Sequence, residues 1–467
     1  MKPIGLEWLR RFPPARGLFT TTDRQDLSGR LAVFLLLLFA FAAWYKTGLA
    51  NVALATLGLL FLLDLPGHWQ GLRKDPALWL LVGGLLLTTL LAWRATLLFP
   101  AFAAQQWSSL TVWLRPLLFI VIAWWLRGDA RLARWLLVAA ALGLALGILN
   151  RADGDDLQAM MALSKGNFGY TARADFGFTG LGLAFLASVV LLGLVSFHQE
   201  IKAISLEGLP GSGLGWGLWL LGVGFFGTLL VVIQARGAAL GLALLIILAM
   251  LHRLVSRRRA GSPWTGPKVA KYFVTALLVL SLSGAIFWIS GDRFASDVRT
   301  LMHPDLEMHY SYQSSTGTRL NLYRIGIALI QERPLLGWGP GTSATRDLVP
   351  ARVLDFAAVD LDQVPAWAHL HSTPLEILVR FGLAGGVYGL LCIAILIQSY
   401  REMHRRVSDP PLLQFLVLGG LMTAFFSLYE FRLIHVDLGF FFILFFGILY
   451  SFRLRPPPPG DEVSAEA

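Results

Sequence analysis

The chain has 467 residues, 56% of them hydrophobic and 15% charged, with a formal net charge of +10 and a mean hydropathy of +0.63. Soluble domains are nearer half apolar and a quarter charged, whereas here uncharged runs repeatedly reach the ~20 residues that cross ~30 Å of hydrocarbon. This composition excludes a water-soluble globular enzyme. The positive charge is no nucleic-acid signal either, because Lys and Arg gather in short clusters between apolar runs, as topology determinants do.

An N-terminal segment with Lys2, Arg10, Arg11, Arg16 and Arg24 precedes the first apolar run, which starts near Leu31. No small-residue cleavage site is evident, so no cleavable signal peptide is expected. Twelve candidate spans follow, at about 30–45, 48–64, 77–95, 107–127, 132–150, 176–197, 214–234, 237–251, 271–290, 374–399, 411–428 and 436–452. The division between the seventh and eighth rests on length. As a single helix, Leu214 to Leu251 would be ~57 Å long, nearly twice the hydrocarbon thickness. The chain must reverse inside it, and the polar break is Gln234-Ala235-Arg236-Gly237. The single cysteine, Cys392, lies within an apolar run, so no intrachain disulfide can form.

Loop charge sets the orientation. Arg73-Lys74, Arg127/Arg131/Arg134, Arg257-Arg258-Arg259 with Lys268 and Lys271, and Arg401/Arg405/Arg406 fall on one side, together with both termini. That side is read as cytoplasmic. The turn at Arg236 and the long stretch 291–373 then lie outside. This stretch carries an amphipathic helix from about Thr318 to Gln331 and a Pro/Gly turn, "RPLLGWGPG". It is too long for a mere connector and is expected to be functional. The organisation expected is spans one to nine over 1–290, the external loop over 291–373, spans ten to twelve over 374–453, and a disordered tail over 454–467.

The chemistry starts at "HSTPLEILVRFG", from His371. Thr373 and Glu376 fit a capping box, and Pro374 falls at the first helical position. His371 then stands just ahead of a helix start. The positive end of that helix favours neutral imidazole and nearby anions. An interfacial histidine that only bonds the loop would fit the same pattern, and a zinc site with His369, His303 or His309 matches no standard spacing. Arg236 reads as a snorkelling anchor or as a guanidinium facing an anionic headgroup. Arg319 opens the external helix, and arginine suits phosphate through paired planar donors. The run Asp153-Gly154-Asp155-Asp156 resembles the acidic pair of metal-dependent glycosyltransferases but reads more readily as a solvated acidic loop. Arg115 falls inside the fourth span, where an arginine should face the bundle interior or a cavity.

Three of these segments together resemble the O-antigen ligase family, within a wider ligase/polymerase superfamily of bacterial inner-membrane glycosyltransferases. "QARGAALGLAL" is similar to the family's small-residue–Arg–Gly turn opening a span. "TGTRLNLYRIGIALIQERPLLGWGPG" is similar to its arginine helix and Pro-Leu-Leu-Gly turn, and "HSTPLEILVRFGLAG" to its histidine motif before a Leu/Gly-rich span. Departures are Gln234-Ala235 where Ser is common, and Ser372 where Asn is common. The resemblance implies an all-α, GT-C-like membrane fold. It also implies transfer of O-antigen polysaccharide from undecaprenyl diphosphate to lipid A–core at the periplasmic face, by a metal-independent inverting reaction without cofactors. Carried over by motif, Arg236 and Arg319 bind the diphosphate and His371 is catalytic.

The residue chemistry agrees with that expectation. A diphosphate is already a good leaving group and needs charge stabilisation more than protonation. A sugar hydroxyl needs a base, which a neutral histidine supplies. No carboxylate pair for double displacement is evident. An O-antigen polymerase or a protein O-oligosaccharyltransferase of the same superfamily would differ only in acceptor. A secondary transporter is the reading from another class, but ionisable residues gather at span ends here rather than at the midplane.

Overall fold

With no water to satisfy backbone groups, a chain inside hydrocarbon must close its hydrogen bonds locally, which helices do. The computed structural model describes residues 27–164, 174–204, 213–259, 315–341, 369–406, 409–433 and 435–454, with single positions at 281, 284, 298 and 302; it contains no strand among them. The helices are α1 Leu27–Tyr45, α2 Thr47–Leu72, α3 Pro76–Leu98, α4 Pro100–Leu126, α5 Ala130–Arg151, α6 Gly154–Ser164 and α7 Gly180–Ser196. They continue as α8 His198–Lys202, α9 Gly213–Ile233, α10 Arg236–Arg259, α11 Ser315–Glu332, α12 Thr373–Arg406, α13 Pro410–Tyr429 and α14 Val436–Ser451.

Eight helices among the described residues (α1 to α5, α9, α12 and α13) are long and apolar enough to cross a membrane, and α7, α10 and α14 are shorter apolar helices. All eleven coincide with expected spans. Apart from positions 281 and 284 the expected span at 271–290 lies outside the described residues, as do His303, His309, most of the 291–373 stretch and residues 455–467. Leu85, Leu86, Leu90 and Trp93 of α3 are exposed, as are Leu383, Val387, Leu390 and Leu391 of α12. These stripes are faces that hydrocarbon would cover. The protein is an all-α polytopic membrane protein.

The interior is built around α7, which is apolar on every side, as a centrally buried helix should be. Phe185 on it meets Phe426 of α13 at 4.7 Å and Phe441 of α14 at 4.9 Å between ring centres. Ser188 and Ser196 satisfy their hydroxyls by donating to the carbonyls of Ala184 and Leu192 in the same helix. Elsewhere backbones touch directly. A Cβ on Gly143 or Gly147 of α5 would lie 1.9 Å from the Phe41 carbonyl oxygen or 2.4 Å from that of Trp44, so this G-x-x-x-G face lets α1 and α5 approach closely.

The fourth span is not one continuous helix. It breaks into short pieces, with 3₁₀ turns at Pro100–Phe102 and Arg115–Leu118, the second containing Pro116, which has no N–H to donate. The expected reversal between α9 and α10 occurs at Gln234, whose φ of 55° is left-handed. The start of α12 meets the end of α13 at one end of the bundle, where Thr373 Oγ1 donates to the Glu430 carbonyl at 3.0 Å. At the other end, Arg134 at the start of α5 grips Asp409 ahead of α13 through two hydrogen bonds of 3.0 and 2.7 Å.

Candidate active site

The chain enters α12 through His369, Leu370 and His371. Leu370 is fully buried with Leu322, Ile325 and Leu329 of α11. Its N–H donates to the Glu376 carboxylate. His371 follows with φ of 52°, a left-handed conformation that costs a non-glycine residue roughly 1–3 kcal/mol unless its surroundings enforce it. They do: the Tyr323 hydroxyl donates to the His371 carbonyl at 3.2 Å, and the His371 N–H donates to His369 Nδ1 at 3.3 Å.

The expected capping box does not form. Thr373 donates to the Glu430 carbonyl rather than accepting from its own helix, and Glu376 binds Leu370 N–H and Arg380. Both side chains have been drawn into tertiary contacts that hold the segment in place.

The side chain of His371 meets Glu430, the residue after α13, at 2.9 Å from Nδ1 to Oε1. Glu430 is fully buried. Arg432 Nε lies 3.2 Å from Oε1 and Arg319 Nη2 3.5 Å from Oε2, at ion-pair distance. Arg319 Nε also donates to the Tyr429 carbonyl at 3.3 Å. Burial raises the Glu430 carboxyl, but the His371 hydrogen bond and the charges of Arg432, His371 and Arg319 outweigh it and bring its pKa down to about 2. Glu430 is therefore an anion at neutral pH with no proton to give. The contact then requires a proton on Nδ1 of His371, and in the neutral tautomer that carries it there Nε2 keeps its lone pair.

Two other histidines nearby are held neutral. Burial, then the neighbouring His371, lowers His369 to about 3. Its ring lies 4.2 Å from that of His371, centre to centre. Burial and the Arg432 charge lower His435 as well, and its Nε2 accepts from Arg432 at 3.0 Å, since a guanidinium can only donate.

Arg236 reaches this end of the bundle by a different element, as the first residue of α10. Its neighbour Gly237 lies against the Tyr429 ring, where a Cβ would come within 2.9 Å of it. The Tyr429 hydroxyl is buried there without a hydrogen-bond partner among the described residues. Arg319 and His371, distant in sequence, thus meet at Glu430, and the turn that carries Arg236 packs against Tyr429 beside them through Gly237.

A second set of contacts stiffens the approach. Gly382 breaks α12 with φ of 60° and ψ of −155°. The break frees carbonyls and N–H groups that the Pro-Leu-Leu-Gly turn takes up. Trp338 and Gly339 N–H donate to the Val379 and Arg380 carbonyls at 2.9 and 2.8 Å, and Leu383 N–H donates to the Pro334 carbonyl at 2.8 Å. Arg380, itself buried, donates to the Pro340 and Gly341 carbonyls and pairs with Glu376. The expected tenth span is therefore a short entry helix followed by a longer one.

His369, His371 and Glu430 could hold a metal by distance, with one ligand atom from each within 4.8 Å of the others. Two guanidinium groups and an imidazole N–H already engage that carboxylate, which leaves it poorly suited to a cation. The acidic run has a structural role instead. Asp153 accepts from the N–H groups of Asp155 and Asp156 at the start of α6, and Asp156 accepts from Asp175 and Phe176 N–H, all at 3.0 Å. Arg115 packs against Gly439 of α14, and its Nη1 is buried without a partner among the described residues. It is not part of the His371 cluster. An apolar cavity of about 180 Å³ lies between α5, α7, α13 and α14, and none of Arg236, Arg319 or His371 lines it.

Glu430, Arg432 and His435 are not singled out by any motif in the sequence. Their signal is a short connector, "YEFRLIH", with three ionisable residues between two apolar spans. Residues 220–390 match the sequence model of the family described as O-antigen ligase. No curated protein matches the chain. The match takes in Arg236, Arg319, the turn after α11 and His371, while Glu430 lies beyond it. The protein is a multi-pass membrane protein with a segment, residues 220–390, that is similar to the O-antigen ligase family.

Proposed function

We propose that the protein is a glycosyltransferase that moves O-antigen glycan from undecaprenyl diphosphate to lipid A–core oligosaccharide at the periplasmic face of the inner membrane. The observation that carries this reading is the contact between His371 and buried Glu430, beside Arg319. Glu430 holds the Nδ1 proton and orients the ring, so Nε2 can take the proton of an acceptor hydroxyl. That oxygen bonds to the anomeric carbon of the donor while the bond from carbon to the diphosphate oxygen breaks. The electron pair leaves with the diphosphate, whose charge Arg236 and Arg319 stabilise. One displacement of this kind inverts the anomeric centre and uses no metal. Loop charge supports the sidedness, because the Arg236 turn and the residues around His371 lie opposite the clusters at Arg127, Arg134 and Arg401.

The test is ligation by purified protein of a defined lipid-diphosphate glycan to lipid A–core, beside a reaction lacking lipid A–core. Product is expected only with the acceptor present, and unchanged by a chelator. Chain growth without lipid A–core would instead identify a polymerase. Inhibition by the chelator, reversed by a divalent cation, would point to a metal at His369, His371 and Glu430.

A further inference from the structure

Two arginines lie outside the His371 cluster. Arg94, near the end of α3, donates from Nη1 to the Gly337 carbonyl at 3.1 Å. Arg333, just past α11, lies 4.5 Å from the Trp338 ring centre and 5.2 Å from that of Phe99. Those two rings stack at 5.7 Å. Gly337 and Trp338 are adjacent, so one turn holds both cations. Neither side chain has a carboxylate partner among the described residues. Stacking engages the face of the Arg333 guanidinium and leaves its in-plane N–H donors unspent, the edge that grips phosphate.

The surroundings are apolar. Leu97 and Leu98 are 64% and 44% exposed, and Leu335 and Leu336 are 66% and 41% exposed. Helix α3 is of spanning length and ends at Leu98, so the arginines stand at the level where a span gives way to headgroups. An apolar collar around two guanidiniums that meet no carboxylate among the described residues suits an amphipathic anion. The donor diphosphate is not that anion. Arg319 and Arg333 are separated by nearly the whole of α11, on the order of 20 Å, which is more than one diphosphate covers.

We propose that Arg94 and Arg333 form a second anion site, which binds a phosphate on the headgroup of the acceptor lipid. This rests on the transfer reading above, in which two lipids must meet at His371. The same turn hydrogen-bonds to α12 at Val379 and Arg380, and through Glu376 to the residue before His371. An acceptor held there is tied to the element that carries the base.

The test uses the full chain in phosphatidylcholine nanodiscs. Binding is measured for a phosphorylated lipid A–core glycolipid, its dephosphorylated form, phosphatidylglycerol and inorganic phosphate. Arg333→Gln is the cleaner variant, because Arg94 also holds the Gly337 carbonyl; Arg94→Gln and Arg333→Lys accompany it. Arg333→Gln should weaken binding of the phosphorylated glycolipid about ten- to hundredfold. Binding of the dephosphorylated form and of the lipid-diphosphate donor should not change. Equal binding of the phosphorylated glycolipid by wild type and Arg333→Gln would overturn the site. Equally tight binding of phosphatidylglycerol, lost in the same variant, would make it a general anionic-lipid anchor and overturn the acceptor assignment. So would inorganic phosphate binding as tightly as the glycolipid. Absence of transfer by the wild type, with the expected binding pattern intact, would count against the reaction and not against the site.

Discussion

The two ends of the bundle handle charge in opposite ways. At one, Arg134 meets Asp409 through two hydrogen bonds and lies 3.2 Å from Glu200, while Asp409 also accepts from Leu412 N–H at the start of α13. Acids answer bases there, and the result is closure. At the other end one buried carboxylate, Glu430, faces three bases, Arg319, Arg432 and His371. In these contacts one acid answers two guanidiniums and an imidazole, an arrangement that suits a site for a phosphorylated ligand. The same residue types thus form a paired clasp at one end and a shared cluster around one carboxylate at the other.

Removing the arginines should have the largest effect. Arg236→Ala and Arg319→Ala should each abolish or sharply reduce transfer in assays on purified protein, with expression retained. Lysine should rescue poorly, because it lacks the planar fork. Next comes the carboxylate that organises the cations. Glu430→Gln should lower kcat on the order of 10²-fold by freeing the His371 ring, with a smaller change in donor KM. An effect on KM alone would make Glu430 a binding residue.

At the closed end the same kind of change should act on stability. Asp409→Ala removes a helix cap and the partner of Arg134, and should lower unfolding free energy by roughly 2–3 kcal/mol. Turnover per folded molecule should stay near normal. The smallest effect concerns pH. The unfolded chain protonates His369 near its ordinary value of about 6.5, whereas the folded protein resists protonation down to about 3. Between these values the unfolded state binds more protons, so stability falls as pH drops through the window. His369→Asn should flatten that slope in thermal melts from pH 6.5 to 5, and transfer should persist.

The spans were legible because hydrophobic length is a local signal, and the reversal at Gln234 followed from length together with the polar break there. Arg236, Arg319 and His371 were legible as motifs. Glu430 was not, because its contact with His371 joins residues 59 positions apart, and its loop looks like a plain connector. Local rules failed where tertiary contacts competed. Thr373 and Glu376 fit a cap but are spent on Glu430, Leu370 and Arg380. Asp153, read as part of a solvated acidic loop, caps α6. The break at Gly382 was hidden because the turn that satisfies it lies far upstream.

On the proposed reading His371 is a base oriented by Glu430, distinct in role from the arginines. Turnover and donor binding measured on the same purified His371→Ala protein test it most directly. A general base contributes about 10²–10⁴-fold, so turnover should fall by that order while donor affinity stays close to wild type. Near-normal turnover, or donor binding lost as completely as in Arg319→Ala, would contradict the account.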